Sequence, residues 1–183
     1  MQDDVKRTAI SISIFGESSV GKTCICSTFL GLEFREEHLS TVGIEKMTSS
    51  IKTEDGVELK LKLWDTAGQE RFKSVSVKNL RYSQAAVVVF DLTNKESFDK
   101  VTDWLKEIRD FSTIMPIGLF GNKSDIVGER KVTKEEIDEL VKTEGLVYFE
   151  TSAKNNTGLK KDLLKLLQWL LKFLGKLQIK DKN

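Results

Sequence analysis

The stretch "IFGESSVGKTC", residues 14–24, limits the fold more than any other part of this 183-residue chain. It carries Gly16, Gly21, Lys22 and Thr23 in the spacing G-x-x-x-x-G-K-[ST]. Upstream, Ile10, Ile12 and Ile14 alternate with small or polar residues and read as a strand; downstream, Lys22 to Leu30 reads as a helix that Gly31 stops. A glycine loop between a strand and a helix turns its N–H groups toward one point, where the helix N-terminus favours negative charge. Gly16, Ser18, Ser19, Val20 and Gly21, with Lys22, Thr23 and Cys24 at the helix start, are therefore the candidate phosphate-binding residues. Lys22 reaches β and γ phosphates as a point charge, and the Thr23 hydroxyl offers a ligand to Mg2+. A chance match to this spacing is expected in roughly one such chain in a hundred, or fewer. The strand–helix context lowers that further.

The rest of the chain repeats the alternation of strand and helix. "KMTSSIKTEDGVELKLKLWD" holds Asp55-Gly56 between two extended runs, a hairpin signal. Leu59, Leu61 and Leu63 alternate with Glu58, Lys60 and Lys62, so the second of those strands is wet on one face. "AAVVVFDLT" is a continuous apolar run suited to a central parallel strand. A helix over "ESFDKVTDWLKEIRDF", a strand "PIGLFG", a helix over "TKEEIDELVKTEG" capped by Thr133 and Glu136, a strand "LVYFE" and a Leu-rich final helix follow. Residues 32–42 and 66–78 read as polar loops. This pattern predicts one α/β domain over residues 1–183, its sheet mostly parallel with one antiparallel edge strand.

Charge and cysteine usage remove several classes of function. The net charge of +1 gives no broad electrostatic case for nucleic acid. Positive charge is concentrated in residues 159–183, which carry seven Lys against two Asp. Cys24 and Cys26, two residues apart on one helix, cannot bridge each other, and a reduced, cytoplasmic setting fits them. With one histidine, His38, and two cysteines, a structural zinc site is not expected. The charged N-terminus "MQDDVKRTAI" does not read as a signal peptide, and no uncharged apolar run is long enough to span a bilayer.

The base is indicated by "GNKSD", residues 121–125, at the end of a later strand. The Asp125 carboxylate can accept two hydrogen bonds, from N1–H and the 2-amino group of guanine. Adenine lacks that amino group and would leave the carboxylate unpaired. Asn122 can tie the base loop to the phosphate loop, and the Lys123 stem can lie along the base. In "ETSAK", residues 150–154, Ser152, Ala153 and Lys154 can present backbone donors to the guanine carbonyl.

The phosphate loop, "STVG", "WDTAGQE", "GNKSD" and "ETSAK", in this order, resemble a small GTPase of the Ras superfamily over residues 8 to about 170. "WDTAGQERF", Cys24 directly after Thr23, and "NKESFDKVTDWLKEI" resemble the Rab branch. The resemblance implies a P-loop NTPase three-layer sandwich with a six-stranded sheet and five helices. It assigns Thr41 to Mg2+ and the γ-phosphate, Phe34 to the guanine edge, and Asp65 to Mg2+ through water. It assigns Gly68 to sensing the γ-phosphate and Gln69 to orienting the attacking water. Lys22 and Mg2+ would neutralise charge while Gln69 supplies position. GTP and GDP are then the ligands. Loss of the γ-phosphate would release two loops that partners read. Where some relatives carry a charge-stabilising Arg, three residues before Thr41, this chain has His38, so a slow GTPase that an activating protein accelerates is expected. An exchange factor, an activating protein and effectors are expected to use residues 34–46 and 66–83 of a monomer.

The pattern also departs from the Rab branch. "VGIEK" places Lys46 where Rab proteins usually have Phe, and "NLRYS", residues 79–83, stands for "YYRGA". Of the usual aromatic trio only Trp64 is clearly kept, so standard Rab effectors are not expected to bind. The sequence ends "KLQIKDKN" without a prenylation cysteine, as expected of a trimmed chain or a lipid-free protein. In the final helix Lys161, Lys165, Gln168, Lys172 and Lys176 form one polar stripe. Packing on the sheet accounts for Leu159, Leu163, Leu166, Leu167 and Leu170 but leaves over Trp169, Leu171, Phe173, Leu174 and Leu177. That surplus suits a membrane surface or a partner groove. The sequence thus points to a GTP-hydrolysing switch in vesicle traffic, in the cytoplasm or peripheral on vesicles. The competing readings are a guanine-nucleotide-binding scaffold with negligible turnover and an ATP-dependent P-loop enzyme, the latter disfavoured by "NKSD".

Overall fold

The computed structural model describes residues 8–32, 44–52, 58–66, 78–155 and 159–175. Six strands, β1 (Thr8–Phe15), β2 (Ile44–Lys52), β3 (Glu58–Thr66), β4 (Ala85–Asp91), β5 (Ile117–Asn122) and β6 (Val147–Glu150), form one sheet in the order β2-β3-β1-β4-β5-β6. Among the described strands only the β2–β3 pair is antiparallel; the other pairs are parallel. The helices are α1 (Lys22–Phe29), α2 (Lys95–Asp99), α3 (Val101–Phe111), α4 (Lys134–Glu144) and α5 (Leu159–Phe173), with 3-10 turns at Asn79–Tyr82 and Val127–Glu129. This is the mixed α/β sandwich expected from the sequence. The Asp55-Gly56 turn lies outside the described residues.

Two cores lie on opposite faces of the sheet, as residues on alternating strand positions require. On one face Ile10, Ile12, Ile14, Leu59, Leu61 and Leu63 pack against α1 and α5. On the other, Phe15, Val88 and Phe90 pack against the side chains of α2, α3 and α4. Every residue of β4 is buried, in keeping with its unbroken apolar run.

Two details differ from the sequence reading. The helix expected over residues 96–111 is divided at Lys100 into α2 and α3. The two parts anchor separately, Phe98 on Phe90 with ring centroids 5.0 Å apart and Trp104 on Phe15 at 5.7 Å. In α5, Leu171 is buried rather than surplus, because that helix packs against α1 as well as the sheet and needs a wider apolar arc. Trp169 packs on the rim of the same core, Phe173 is exposed, and Lys161, Lys165, Gln168 and Lys172 form an exposed stripe. Lys176 and Leu177 lie outside the described residues.

Parallel strands bring their C-terminal ends to one edge of the sheet, where ligands bind in folds of this kind. Register places Ile14 beside Asp65, Asp91 beside Asn122 and Gly121 beside Glu150. The strand ends therefore form a row from the Gly16 loop to "ETSAK".

Candidate functional site

The phosphate loop leaves β1 at Gly16, whose φ of 136° and close approach to β4 both require glycine: a Cβ there would stand 2.2 Å from the Val89 carbonyl oxygen. Ser19 (φ 64°) and Gly21 (φ 96°) complete the turn into α1. That helix has Gly21 at its N-cap, no side-chain cap and no acid in its first turn. Its leading N–H groups and dipole are thus directed at the loop, an arrangement that attracts an anion.

Lys22 is buried, and its ammonium donates to the carbonyls of Gly16 (2.9 Å) and Glu17 (2.7 Å). Burial lowers its pKa to about 8, against the opposing pull of Asp65 and Glu17. The next side chain, Thr23, donates to the Asp65 carboxylate at 2.5 Å, and that carboxylate is fully buried at the end of β3. A hydroxyl and a carboxylate are the hard oxygen donors that suit Mg2+, which keeps most of its shell for water and phosphate. No group of three His, Cys, Asp or Glu able to hold a metal occurs among the described residues. Cys24 and Cys26 are buried thiols outside any disulfide, and burial raises their pKa values.

Asn122 closes β5 and is buried. Its amide donates to the Val20 carbonyl (2.9 Å) and accepts from the Ala153 N–H (3.1 Å). One side chain therefore joins the phosphate loop to "ETSAK". The contact is so close that a Cβ on Gly21 would stand 2.3 Å from Asn122 Nδ2. Beyond it, Lys123 takes φ 66° and its ammonium sits 2.6 Å from Asp91. Asp125 accepts from the Ser152 hydroxyl at 2.5 Å, while Ser152 accepts from the Asn155 N–H at 3.0 Å. The backbone of "ETSAK" is tied to β5 as well, the Thr151 N–H donating to Gly121 at 2.8 Å and the Ser124 N–H to Thr151 at 3.1 Å. Lys154 is exposed.

The structure therefore gathers Gly16, Ser18, Ser19, Val20, Gly21, Lys22, Thr23, Cys24, Asp65, Asn122, Lys123, Asp125, Ser152, Ala153 and Lys154 along one edge. Phe34, His38, Thr41, Gly68 and Gln69 lie outside the described residues. Three supporting contacts have no signal in the sequence. Trp104 of α3 donates its indole N–H to Glu17 of the loop at 3.0 Å. Asp91 holds Lys123 while accepting from the backbone and hydroxyl of Thr93. Arg130 makes a two-pronged bond to Glu150, at 2.9 and 3.0 Å, which joins the segment after "NKSD" to the start of "ETSAK". These pairs are separated by many residues, and only the topology brings them together.

Residues 11–172 match the profile of the Ras family. The chain is 35% identical over 171 residues to Ras-related protein Rab-13 of Bos taurus, an alignment covering 93% of this chain and 84% of the relative. It is 35% identical over 163 residues to Ras-related protein Rab-4 of Dictyostelium discoideum, covering 88% and 79%. It is 42% identical over 162 residues to Ras-related protein Rab-26 of Homo sapiens, covering 87% of this chain and 62% of that one.

Proposed function

The chain belongs to the Ras family, and from that premise we propose that it is a timed switch of vesicle traffic whose two loops are held by the γ-phosphate of GTP. It is a Rab-like GTPase that binds GTP and GDP with Mg2+. The further roles are our reading. One domain, residues 1–183, acts as the switch. The loop amides and Lys22 take the β and γ phosphates, and Thr23 with Asp65 would hold Mg2+, which supplies charge neutralisation at the phosphates. Asp125 takes the N1–H and 2-amino edge of guanine, Ser152 and Lys154 its carbonyl, with the Ala153 N–H shared between that carbonyl and Asn122 Oδ1, and Lys123 and Phe34 its faces.

The observation that carries this reading is the Asn122 bridge from the phosphate loop to Ala153, beside Ser152, whose hydroxyl holds the Asp125 carboxylate we assign to the base. Such preorganisation serves a reaction that depends on positioning more than on covalent chemistry. Gln69 then orients the attacking water, and Thr41 and the Gly68 N–H read the γ-phosphate. Exchange factor, activating protein and effectors approach residues 34–46 and 66–83. The site of action is the cytoplasm and the vesicle surface; among the described residues no helix is long and apolar enough to cross a membrane. The apolar surplus at the end of α5 narrows to the exposed Phe173, with the half-buried Trp169 beside it and Leu174 just beyond the helix, which we assign to a membrane surface or a partner groove.

Single-turnover phosphate release tests the reading. Gln69→Leu is expected to slow hydrolysis by roughly tenfold or more while GTP affinity stays unchanged. An unaltered rate would remove Gln69 from the mechanism, and no release from the unsubstituted protein would favour a scaffold.

A further inference from the structure

The phosphate loop carries its own acid. Glu17 is the one acidic residue between Ile14 and Leu30, and it follows Gly16 directly. Its carbonyl accepts from the Lys22 ammonium at 2.7 Å, so its backbone is part of the mount for that cation. Its charge reaches the same cation: burial lowers the Lys22 pKa, and Asp65 and then Glu17 pull the other way. A carboxylate so placed repels the phosphates that the loop amides, the α1 N-terminus and Lys22 attract. Among the described residues Glu17 makes no ion pair that would offset this.

An indole holds that carboxylate. Trp104 of α3, 1% exposed, donates its Nε1–H to Glu17 Oε1 at 3.0 Å. The ring packs on Phe15 with centroids 5.7 Å apart, in the core it shares with Val101, Leu105 and Ile108 of the same helix. Phe15 is the last residue of β1 and precedes Gly16 directly, so the loop springs from the residue that seats the indole. A donor fixed this firmly, on a charged acceptor, is a directional restraint. A buried indole N–H ordinarily finds some acceptor, and a backbone carbonyl would serve. Here it meets the one acid of the phosphate loop.

We propose that Trp104 is a positioning residue of the nucleotide site: its indole N–H holds the Glu17 carboxylate off the anion site and so sets how long the loop keeps a bound phosphate chain. Released, the carboxylate would compete with the phosphates for the loop amides and for Lys22. The restraint matters because of the charge, and a neutral side chain at position 17 would not need it. This inference rests on our assignment of the loop and Lys22 to the phosphates.

The test is the rate at which the full chain releases fluorescent GDP with Mg2+, in a double-mutant cycle of Trp104→Phe and Glu17→Gln. Trp104→Phe keeps a ring against Phe15 and removes the N–H; Glu17→Gln keeps an acceptor and removes the charge. Trp104→Phe is expected to speed release at least about fivefold, and by less than about twofold when Glu17→Gln is also present. Trp104→3-benzothienylalanine, which has the shape of indole without its N–H, should behave as Trp104→Phe and separates the bond from the packing. Release at the parental rate from the benzothienyl variant, or equal acceleration by Trp104→Phe with and without the Glu17 charge, would overturn the proposal. A parent that holds no nucleotide would refute the phosphate assignment, and this inference with it.

Discussion

Asn122 uses both ends of one amide, the donor on the Val20 carbonyl and the acceptor on the Ala153 N–H, to set the span between two loops. Beside it Asp125 spends one oxygen on the Ser152 hydroxyl, which orients the carboxylate. In our reading the carboxylate makes two charge-assisted hydrogen bonds to guanine, each worth about 1.5–3 kcal/mol. Asp125→Ala is therefore expected to weaken GDP binding by at least about 3 kcal/mol, more than a hundredfold, with the fold intact. Titration calorimetry checks this, and an affinity within about tenfold of the parent would refute the role. The sequence marks these residues because their types and spacing are local. It does not mark Trp104 on Glu17, Asp91 on Lys123 or Arg130 on Glu150, since each pairing depends on strand order.

At the scale of elements, the strands and helices are legible where a single period governs the side chains. β3 alternates and is half-wet, and β4 is apolar from Ala85 to Phe90 and buried throughout. Legibility fails where an element meets two neighbours: α5 buries Leu171 because it lies against both α1 and the sheet. Its buried and exposed arcs make a paired prediction. Leu166 has no exposure and would stand 3.0 Å from a Cβ on Gly118, so Leu166→Ala should cost roughly 2–5 kcal/mol. Phe173, 54% exposed, should cost under about 0.5 kcal/mol as Phe173→Ala. Urea denaturation decides between that order and its reverse. In α4, Glu136 completes a capping box with Thr133 and bonds Lys95 at 2.7 Å. Lys95 first, then the Thr133 N–H and hydroxyl, lower the Glu136 pKa from 4.5 to about 2. A carboxylate with a lowered pKa in the folded state stabilises above its unfolded pKa and loses that effect as pH falls through the folded one. The parent should thus exceed Glu136→Gln in stability at pH 7, and the gap should close between pH 4.5 and about 2. A gap that persists unchanged at pH 2 would contradict this assignment.

At the scale of the molecule, one sheet edge collects the phosphate loop, Asp65, the base loop and "ETSAK". The nucleotide edge was largely legible because its motifs carry their own chemistry. The stacking of Tyr82 on Trp64 was not, because one stands in a 3-10 turn and the other on β3, and only the fold brings them together. All of it rests on a phosphate grip joined at a fixed distance to a carboxylate that reads guanine. Calorimetric titration of nucleotide-free protein with GDP and with ADP, both with Mg2+, tests that claim directly: GDP should bind at least roughly a thousandfold more tightly, whereas equal affinities, or no binding of either, would contradict it.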